Sequence, residues 1–157
     1  MKEMTLKSII QVAQMDELPE EERTLVEQAI EATNRSYTPY SHFHVGAALR
    51  LGNGITFIGC NQENAAFPAG ICAERSAIFA AGAQYPDEPV TMLAIAARNT
   101  KGELQDEPVS PCGTCRQVII ETETRFNHPV RLLLYGRKKI YVIDSIKQLM
   151  PLSFTEF

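Results

Sequence analysis

The stretch FHVGAALRLGNGITFIGC, residues 43–60, predicts a β-hairpin and sets the class of the fold. Two apolar runs, Phe43–Leu51 and Ile55–Cys60, flank the turn Gly52-Asn53-Gly54. A tight hairpin turn needs residues with positive φ, which glycine and asparagine adopt most readily. We therefore expect two adjacent antiparallel strands here, with the rest of the chain built around them.

Helical and strand patterns alternate on both sides of this hairpin. Upstream, Pro19 and three glutamates begin a helix that continues to about Ser36, and Met4–Met15 has the weak alternation of an added strand. Downstream, the pattern predicts helices over 71–84, 112–125 and 145–150, and strands over 90–97, 130–135 and 140–143. This order predicts an α/β fold, a three-layer α/β/α sandwich around a mixed, roughly five-stranded sheet. The site is expected at the sheet edge where strand ends and helix starts meet.

Composition narrows the class of protein. The chain has 157 residues, of which 45% are hydrophobic and 22% charged, and this predicts a single globular domain over residues 1–157. No apolar run reaches the roughly 18 residues that a membrane span needs, and the net charge of −4 does not favour a nucleic-acid partner. An acidic residue, Glu3, stands where an export signal would be basic, so we expect a cytoplasmic protein without disulfides.

The placement of three cysteines is the most informative feature of the sequence. Cys112 and Cys115 form a CxxC motif at the start of a predicted helix, directly after Pro111. Residues i and i+3 share one helical face, and the positive end of a helix favours the thiolate form. Cys72 begins the other helix, and Glu74 follows two residues later.

Three sulfurs with a nearby carboxylate that does not bind the metal are typical of a catalytic zinc site. Such a site uses three protein ligands and leaves the fourth position to water, which the ion makes acidic. A carboxylate beside that water, here Glu74, can take up its proton and pass it to a substrate.

Other interpretations of these cysteines stay open at this point. A CxxC in a cytoplasmic α/β protein also occurs as a redox-active pair. Cys72 alone would be an ordinary small core residue. A structural zinc site would need a fourth ligand, which Cys60 could supply, although its place at the end of an apolar strand favours core packing.

Four blocks of sequence, in order, resemble the cytidine deaminase family. They are PYSHFHVGAA (39–48), GCNQENA (59–65), ICAER (71–75) and SPCGTCRQV (110–118). The resemblance implies hydrolytic deamination of cytidine and 2′-deoxycytidine to uridine and 2′-deoxyuridine with release of ammonia, a reaction of pyrimidine salvage. It also implies zinc bound by Cys72, Cys112 and Cys115, with Glu74 as the catalytic proton carrier. Three cysteines with no histidine among the ligands resemble the small homotetrameric branch, which has one zinc ion per subunit.

The resemblance also implies a binding site for the sugar. Asn61 and Glu63 are two residues apart, so an extended backbone directs both side chains the same way. An amide and a carboxylate together can bind the hydroxyl groups of ribose, which is the family role. Without the resemblance, Asn61 would be read as a turn residue and Glu63 as solvent-exposed.

Aromatic and basic residues complete the implied site. Phe43 would contact the pyrimidine, and Phe67 would stack where many relatives have tyrosine. Phe154 matches a C-terminal aromatic that reaches the site of a neighbouring subunit, although a frayed tail is the plain alternative. Arg75 would donate hydrogen bonds to the zinc-binding sulfurs, whereas Arg116 could do the same or form a surface ion pair.

Two further functions compete with nucleoside deamination. A zinc deaminase could act on another amino-heterocycle nucleoside or on a free base, although the Asn61 and Glu63 pair favours a substrate with a sugar. A structural zinc or redox protein would use the CxxC motif without catalysis.

Overall fold

The computed structural model describes residues 1–156, which form one mixed sheet of six strands flanked by helices. The sheet order is β1-β6-β5-β4-β2-β3, and only β4 and β5 are parallel neighbours. The strands are β1 (Gln11–Ala13), β2 (His44–Leu51), β3 (Thr56–Cys60), β4 (Val90–Arg98), β5 (Arg131–Tyr135) and β6 (Ile140–Ile143). The helices are α1 (Glu20–Ala32), α2 (Ala73–Gln84) and α3 (Gly113–Phe126).

The predicted hairpin is confirmed as β2 and β3. Gly46 pairs with Cys60 and Arg50 with Thr56, and Gly54 has a φ of 86° at the turn. The amide of Ile55 donates to Asn53 Oδ1 at 3.0 Å, so the asparagine side chain closes the turn that its backbone forms.

The sandwich of three layers is also confirmed, because the helices cover both faces of the sheet. Leu25, Val26 and Ala29 of α1 pack on one face, against β2, β4, β5 and β6. On the other face, α2 and α3 share a second core with alternate residues of the same strands. The two zinc-motif segments therefore lie on one side of the sheet.

Two glycines let helices approach the sheet closely. A Cβ on Gly59 in β3 would lie 2.6 Å from the amide nitrogen of Ala77 in α2, and a Cβ on Gly46 in β2 would lie 2.5 Å from that of Thr33. Only a residue without a side chain fits such contacts. Gly59 therefore sets how close the helix that follows Cys72 comes to the sheet.

The N-terminal strand and the ends of two helices differ from the prediction. Of Met4–Met15, only Gln11–Ala13 form a strand, because these three residues find partners on β6, and this strand makes the sheet six-stranded rather than five. The first helix ends at Ala32, followed by a 3₁₀ turn over Thr33–Arg35. The short helix near 145–150 is a single 3₁₀ turn, Ile146–Gln148. No helix within residues 1–156 has the length and apolar character needed to cross a bilayer.

Candidate metal centre and substrate pocket

The three zinc-motif cysteines meet at the starts of α2 and α3. Cys72 is the N-cap of α2 and Cys112 the N-cap of α3, both with extended backbone, and Cys115 is buried in the first turn of α3. Their Sγ atoms all lie within 4.8 Å of one another. Because unpaired N–H groups end both helices at this point, the local field favours negatively charged sulfur.

The spacing of these sulfurs fits a zinc ion. Cys72 Sγ and Cys112 Sγ are 3.9 Å apart, far beyond the length of a disulfide bond. Sulfurs about 2.3 Å from a tetrahedral zinc ion lie about 3.8 Å from each other. Among the residues that the structure describes, no histidine, carboxylate or fourth cysteine joins this group. Cys60 instead donates through Sγ to the Arg35 carbonyl at 3.2 Å, so it is not a fourth ligand and also not fully buried.

Arg75 supports the charge of the cysteine group. Its Nη2 lies 3.5 Å from Cys72 Sγ, the position expected for a residue that stabilises a bound thiolate. Hydrogen bonds from Cys115 and Arg75 lower the pKa of Cys72 to about 5. These contacts favour the thiolate form of Cys72, which is the form that binds a metal ion.

Glu74 is the buried carboxyl group of the site. It lies in the first turn of α2 with 4% of its surface exposed. Burial raises the pKa of Glu74 above its ordinary value, and the negative charge on Cys72 raises it further. A carboxyl group with a raised pKa near an acidic water is suited to taking up and releasing a proton.

A pocket of about 550 Å³ adjoins the metal-binding group. Its size suits a small organic molecule. Five predicted site residues line it, namely Asn61, Glu63, Phe67, Cys72 and Arg75. Six further residues complete the lining, namely Tyr40, Ser41, Gln62, Asn64, Gly70 and Ile71.

Asn61 and Glu63 are both held by hydrogen bonds in this pocket. Asn61 Oδ1 accepts from the Val45 amide at 2.8 Å, and its Nδ2 donates to the Phe43 carbonyl at 2.9 Å. Glu63 Oε2 accepts from the amides of Tyr40 at 2.9 Å and Ser41 at 3.2 Å. Neither is a free solvent-exposed side chain, and their roles in sugar binding stay predictions.

The three predicted aromatic residues occupy different places. Phe43 directly precedes β2 and is half-buried, with both backbone polar groups bonded to pocket side chains. Phe67 is exposed at the pocket mouth and contacts the Tyr40 ring edge to face, with the ring centroids 5.7 Å apart. Phe154 lies on the C-terminal tail, where its carbonyl accepts from Gln117 of α3 at 2.9 Å and the residue as a whole is largely exposed.

Two basic residues bond to neighbouring polar groups. Arg116 donates to the carbonyls of Pro111 at 2.9 Å and Leu149 at 2.7 Å, and no sulfur or carboxylate within residues 1–156 is among its partners. It thereby ties the loop before Cys112 to the tail. His44 is half-buried, and its Nδ1 lies 2.6 Å from Ser36 Oγ.

Sequence reasoning assigned no role to Tyr40 and Ser41. Both lie in a polar loop that gives no periodic signal, and their importance comes from contacts with Glu63, more than 20 positions away. The one sequence signal for them is their place in the block PYSHFHVGAA, which resembles the family and also contains Phe43.

Comparisons with known proteins agree with this geometry. A family model described as the zinc-binding region of cytidine and deoxycytidylate deaminases matches residues 19–127. The cytidine deaminase of Sporosarcina psychrophila is 44% identical over 132 residues, covering 84% of this chain and 90% of that protein. The cytidine deaminase of Halalkalibacterium halodurans is 42% identical over 97 residues, covering 62% of this chain and 68% of that protein.

A solved structure is similar over most of the chain. The crystal structure of cytidine deaminase from Burkholderia pseudomallei has a TM-score of 0.71 and 35% sequence identity, covering 83% of this chain and 97% of that chain. The matched family region spans all three sulfurs that are arranged for zinc. This chain belongs to the cytidine and deoxycytidylate deaminase family and uses zinc as its cofactor.

Proposed function

We propose that this protein deaminates cytidine and 2′-deoxycytidine by hydrolysis, with water and the nucleoside giving uridine or 2′-deoxyuridine and ammonia. One observation carries the proposal: three cysteine Sγ atoms lie within 4.8 Å of one another beside the buried Glu74, and one of these cysteines, Cys72, lines a pocket. Relatives that cover most of this chain are cytidine deaminases.

Cys72, Cys112 and Cys115 are the residues that would hold the zinc ion. When bound, zinc supplies Lewis-acid chemistry, which lowers the pKa of a coordinated water molecule toward neutrality. The positive ends of the two helices and the Arg75 guanidinium partly offset the negative charge of three thiolates.

Glu74 is the proposed proton carrier. It takes a proton from the water that adds to ring carbon C4 and delivers it to ring nitrogen N3. It then takes the remaining proton from the new hydroxyl group on C4 and passes it to the amino group. The bond between C4 and that nitrogen breaks, so ammonia leaves and a carbonyl remains. The raised pKa of the Glu74 carboxyl suits it to both accepting and releasing a proton.

Five residues are proposed to bind the substrate. Asn61 and Glu63 would bind the sugar, since both line the pocket and offer polar groups to it. Phe43 and Phe67 would enclose the base. Phe154 is proposed to complete the site of another copy in a homotetramer, which agrees with its position on the C-terminal tail, where 63% of the residue's surface is exposed. We place the enzyme in the cytoplasm, where thiols that must bind metal stay reduced.

The decisive experiment follows the loss of cytidine absorbance with purified protein, before and after zinc chelation. We expect turnover that disappears on chelation and returns when zinc is added. The Glu74→Gln variant should keep its zinc content and lose roughly 100- to 10,000-fold in kcat, the contribution typical of a general acid–base group. Full activity of this variant would remove Glu74 from the mechanism.

A comparison of cytidine with cytosine separates nucleoside from free-base deamination. Cytosine lacks the sugar that Asn61 and Glu63 would bind, so its kcat/KM should be far lower. Equal turnover of the two would favour a deaminase of free bases, and no turnover of either by the zinc-loaded protein would contradict the proposal.

A further inference from the structure

The hydroxyl group of Ser41 bonds both to Glu63 and to the backbone of Phe43, two residues that are proposed to bind the substrate. Its Oγ donates to Glu63 Oε1 and accepts from the Phe43 amide at 3.1 Å. We propose that Ser41 is a positioning residue that holds the Glu63 carboxylate ready for a sugar hydroxyl, and so makes this enzyme selective for nucleosides that carry one. The inference rests on the proposed function and adds to it the origin of sugar selectivity.

Three donors fix the Glu63 side chain before any ligand arrives. The Tyr40 and Ser41 amides donate to Oε2, and the Ser41 hydroxyl donates to Oε1. A glutamate at the edge of a pocket usually samples several rotamers and loses that freedom when it binds. Holding it in one rotamer beforehand removes this loss from the binding step.

The same hydrogen bonds decide which ligand group Glu63 can recognise. The bond from Ser41 lowers the pKa of Glu63, with further help from the two amides, so the carboxylate is ionised near neutral pH and only accepts hydrogen bonds. Oε2 already accepts two, whereas Oε1 accepts one and has a lone pair left. A sugar hydroxyl, which has a proton to donate, fits this lone pair.

Asn61 connects the other side of the same network. Its Nδ2 donates to the Phe43 carbonyl, and its Oδ1 accepts from the Val45 N–H. The second N–H of Nδ2 and the second lone pair of Oδ1 can then bond a ligand. Phe43 is thus held at its amide by Ser41 and at its carbonyl by Asn61. The groups proposed to bind sugar and base are parts of one hydrogen-bonded unit, with Ser41 at its centre.

Kinetics with two substrates test the inference. Cytidine and 2′,3′-dideoxycytidine share the base but differ in the sugar hydroxyls. In Ser41→Ala, kcat/KM for cytidine should fall about tenfold through KM, the effect of losing a hydrogen bond to a charged group, while kcat/KM for the dideoxy substrate should stay within about twofold. Ser41→Thr keeps the hydroxyl at an exposed position and should retain the preference for cytidine.

Ser8→Ala is the matched control, because Ser8 is an exposed serine whose hydroxyl bonds the Gln148 carbonyl and does not line the pocket. It should leave both substrates unchanged. The inference would be overturned if Ser41→Ala lowered kcat/KM equally for both substrates or left both unchanged. The same loss of cytidine kcat/KM in Ser41→Thr would also overturn it. Wild-type turnover of cytidine tests the proposed function separately. An inactive zinc-loaded wild-type protein would contradict that function, whatever the Ser41 variants do.

Discussion

Glu74 lies in the first turn of α2 with almost none of its surface exposed, and this burial raises the pKa of its carboxyl group. The folded protein therefore binds a proton more tightly than the unfolded chain. The stability gained from the protonated group is fully present below its ordinary pKa of 4.5 and is lost as the pH rises through the raised value. At neutral pH the charged carboxylate opposes folding unless a cation lies nearby.

We expect the zinc-free Glu74→Gln variant to have a higher Tm than zinc-free wild type at about pH 7, because the amide carries no charge to bury. At about pH 4 the difference should largely vanish, since the wild-type carboxyl is then neutral as well. Thermal unfolding followed by circular dichroism at the two pH values measures this. A Tm difference of the same size at both would show that the charge of Glu74 does not oppose folding.

Residues whose chemistry depends on short spacing could be predicted from the sequence. Cys112 and Cys115 share a helical face by their separation alone, and Cys72 and Glu74 both lie at the start of a second helix. Ser41 could not be predicted, because its function depends on which distant carboxylate it meets. Arg116 was open to two interpretations for the same reason, and the partners that the structure shows for it are carbonyls of a loop and of the tail.

At the level of elements, the contact between β3 and α2 fixes where Cys72 lies. Gly59 leaves no space for a side chain, because the backbone of Ala73 and Ala77 fills the position that a Cβ would take. The first turn of α2 is therefore set against the sheet by backbone contact rather than by interlocking side chains. A shift of this helix would move Cys72 and Glu74 together.

Gly59→Ala should lower the free energy of unfolding by about 1–3 kcal/mol, the usual cost of overfilling a packed contact. Gly82→Ala is the control, because Gly82 lies in α2, the helix that packs on Gly59, and has nothing within 4 Å of the position a Cβ would take. That variant should raise stability by about 0.5–1 kcal/mol through helix propensity. Urea unfolding of the zinc-loaded proteins measures both, and equal effects of the two substitutions would contradict the close-contact argument.

Hydrophobic periodicity predicted a helix or strand accurately where the local pattern and the packing of the folded chain favour the same element. The hairpin, β4, α2 and α3 are long or strongly marked and appear within two residues of their predicted ends. Met4–Met15 has apolar residues but only three of its positions find a partner strand, since β6 is short. The length of β1 is therefore limited by the length of β6, its partner far along the chain. The sequence of Met4–Met15 alone does not contain that length.

For the whole molecule, the C-terminal tail is the segment that we propose reaches another copy of the chain. Gln117 and Arg116, on the helix that begins at Cys112, hold the tail through the carbonyls of Phe154 and Leu149. These hydrogen bonds fix the tail against the helix that carries two of the three cysteines. If Phe154 serves another copy, each active site depends on two chains.

Mixing two inactive or weakened variants tests this dependence. Phe154→Ala should have a raised KM for cytidine, and Glu74→Gln should have little turnover. Co-expressed, they should form mixed oligomers in which an intact Glu74 receives Phe154 from a Glu74→Gln subunit, so kcat/KM should exceed that of either variant alone. Light scattering should give four times the mass of one chain. Activity no greater than the average of the separate variants would show that Phe154 does not act on another copy.

The cysteines that begin α2 and α3 occupy positions where serine, aspartate or asparagine would stabilise a helix best. Neither makes a side-chain capping bond, whereas Ser145 caps the 3₁₀ turn at Ile146 by accepting from the Lys147 amide. Each missing cap weakens its helix by about 1 kcal/mol. Zinc bound by these cysteines must therefore also supply the helix stability that the missing caps would have given. The amount of folded enzyme in a cell should follow the supply of zinc.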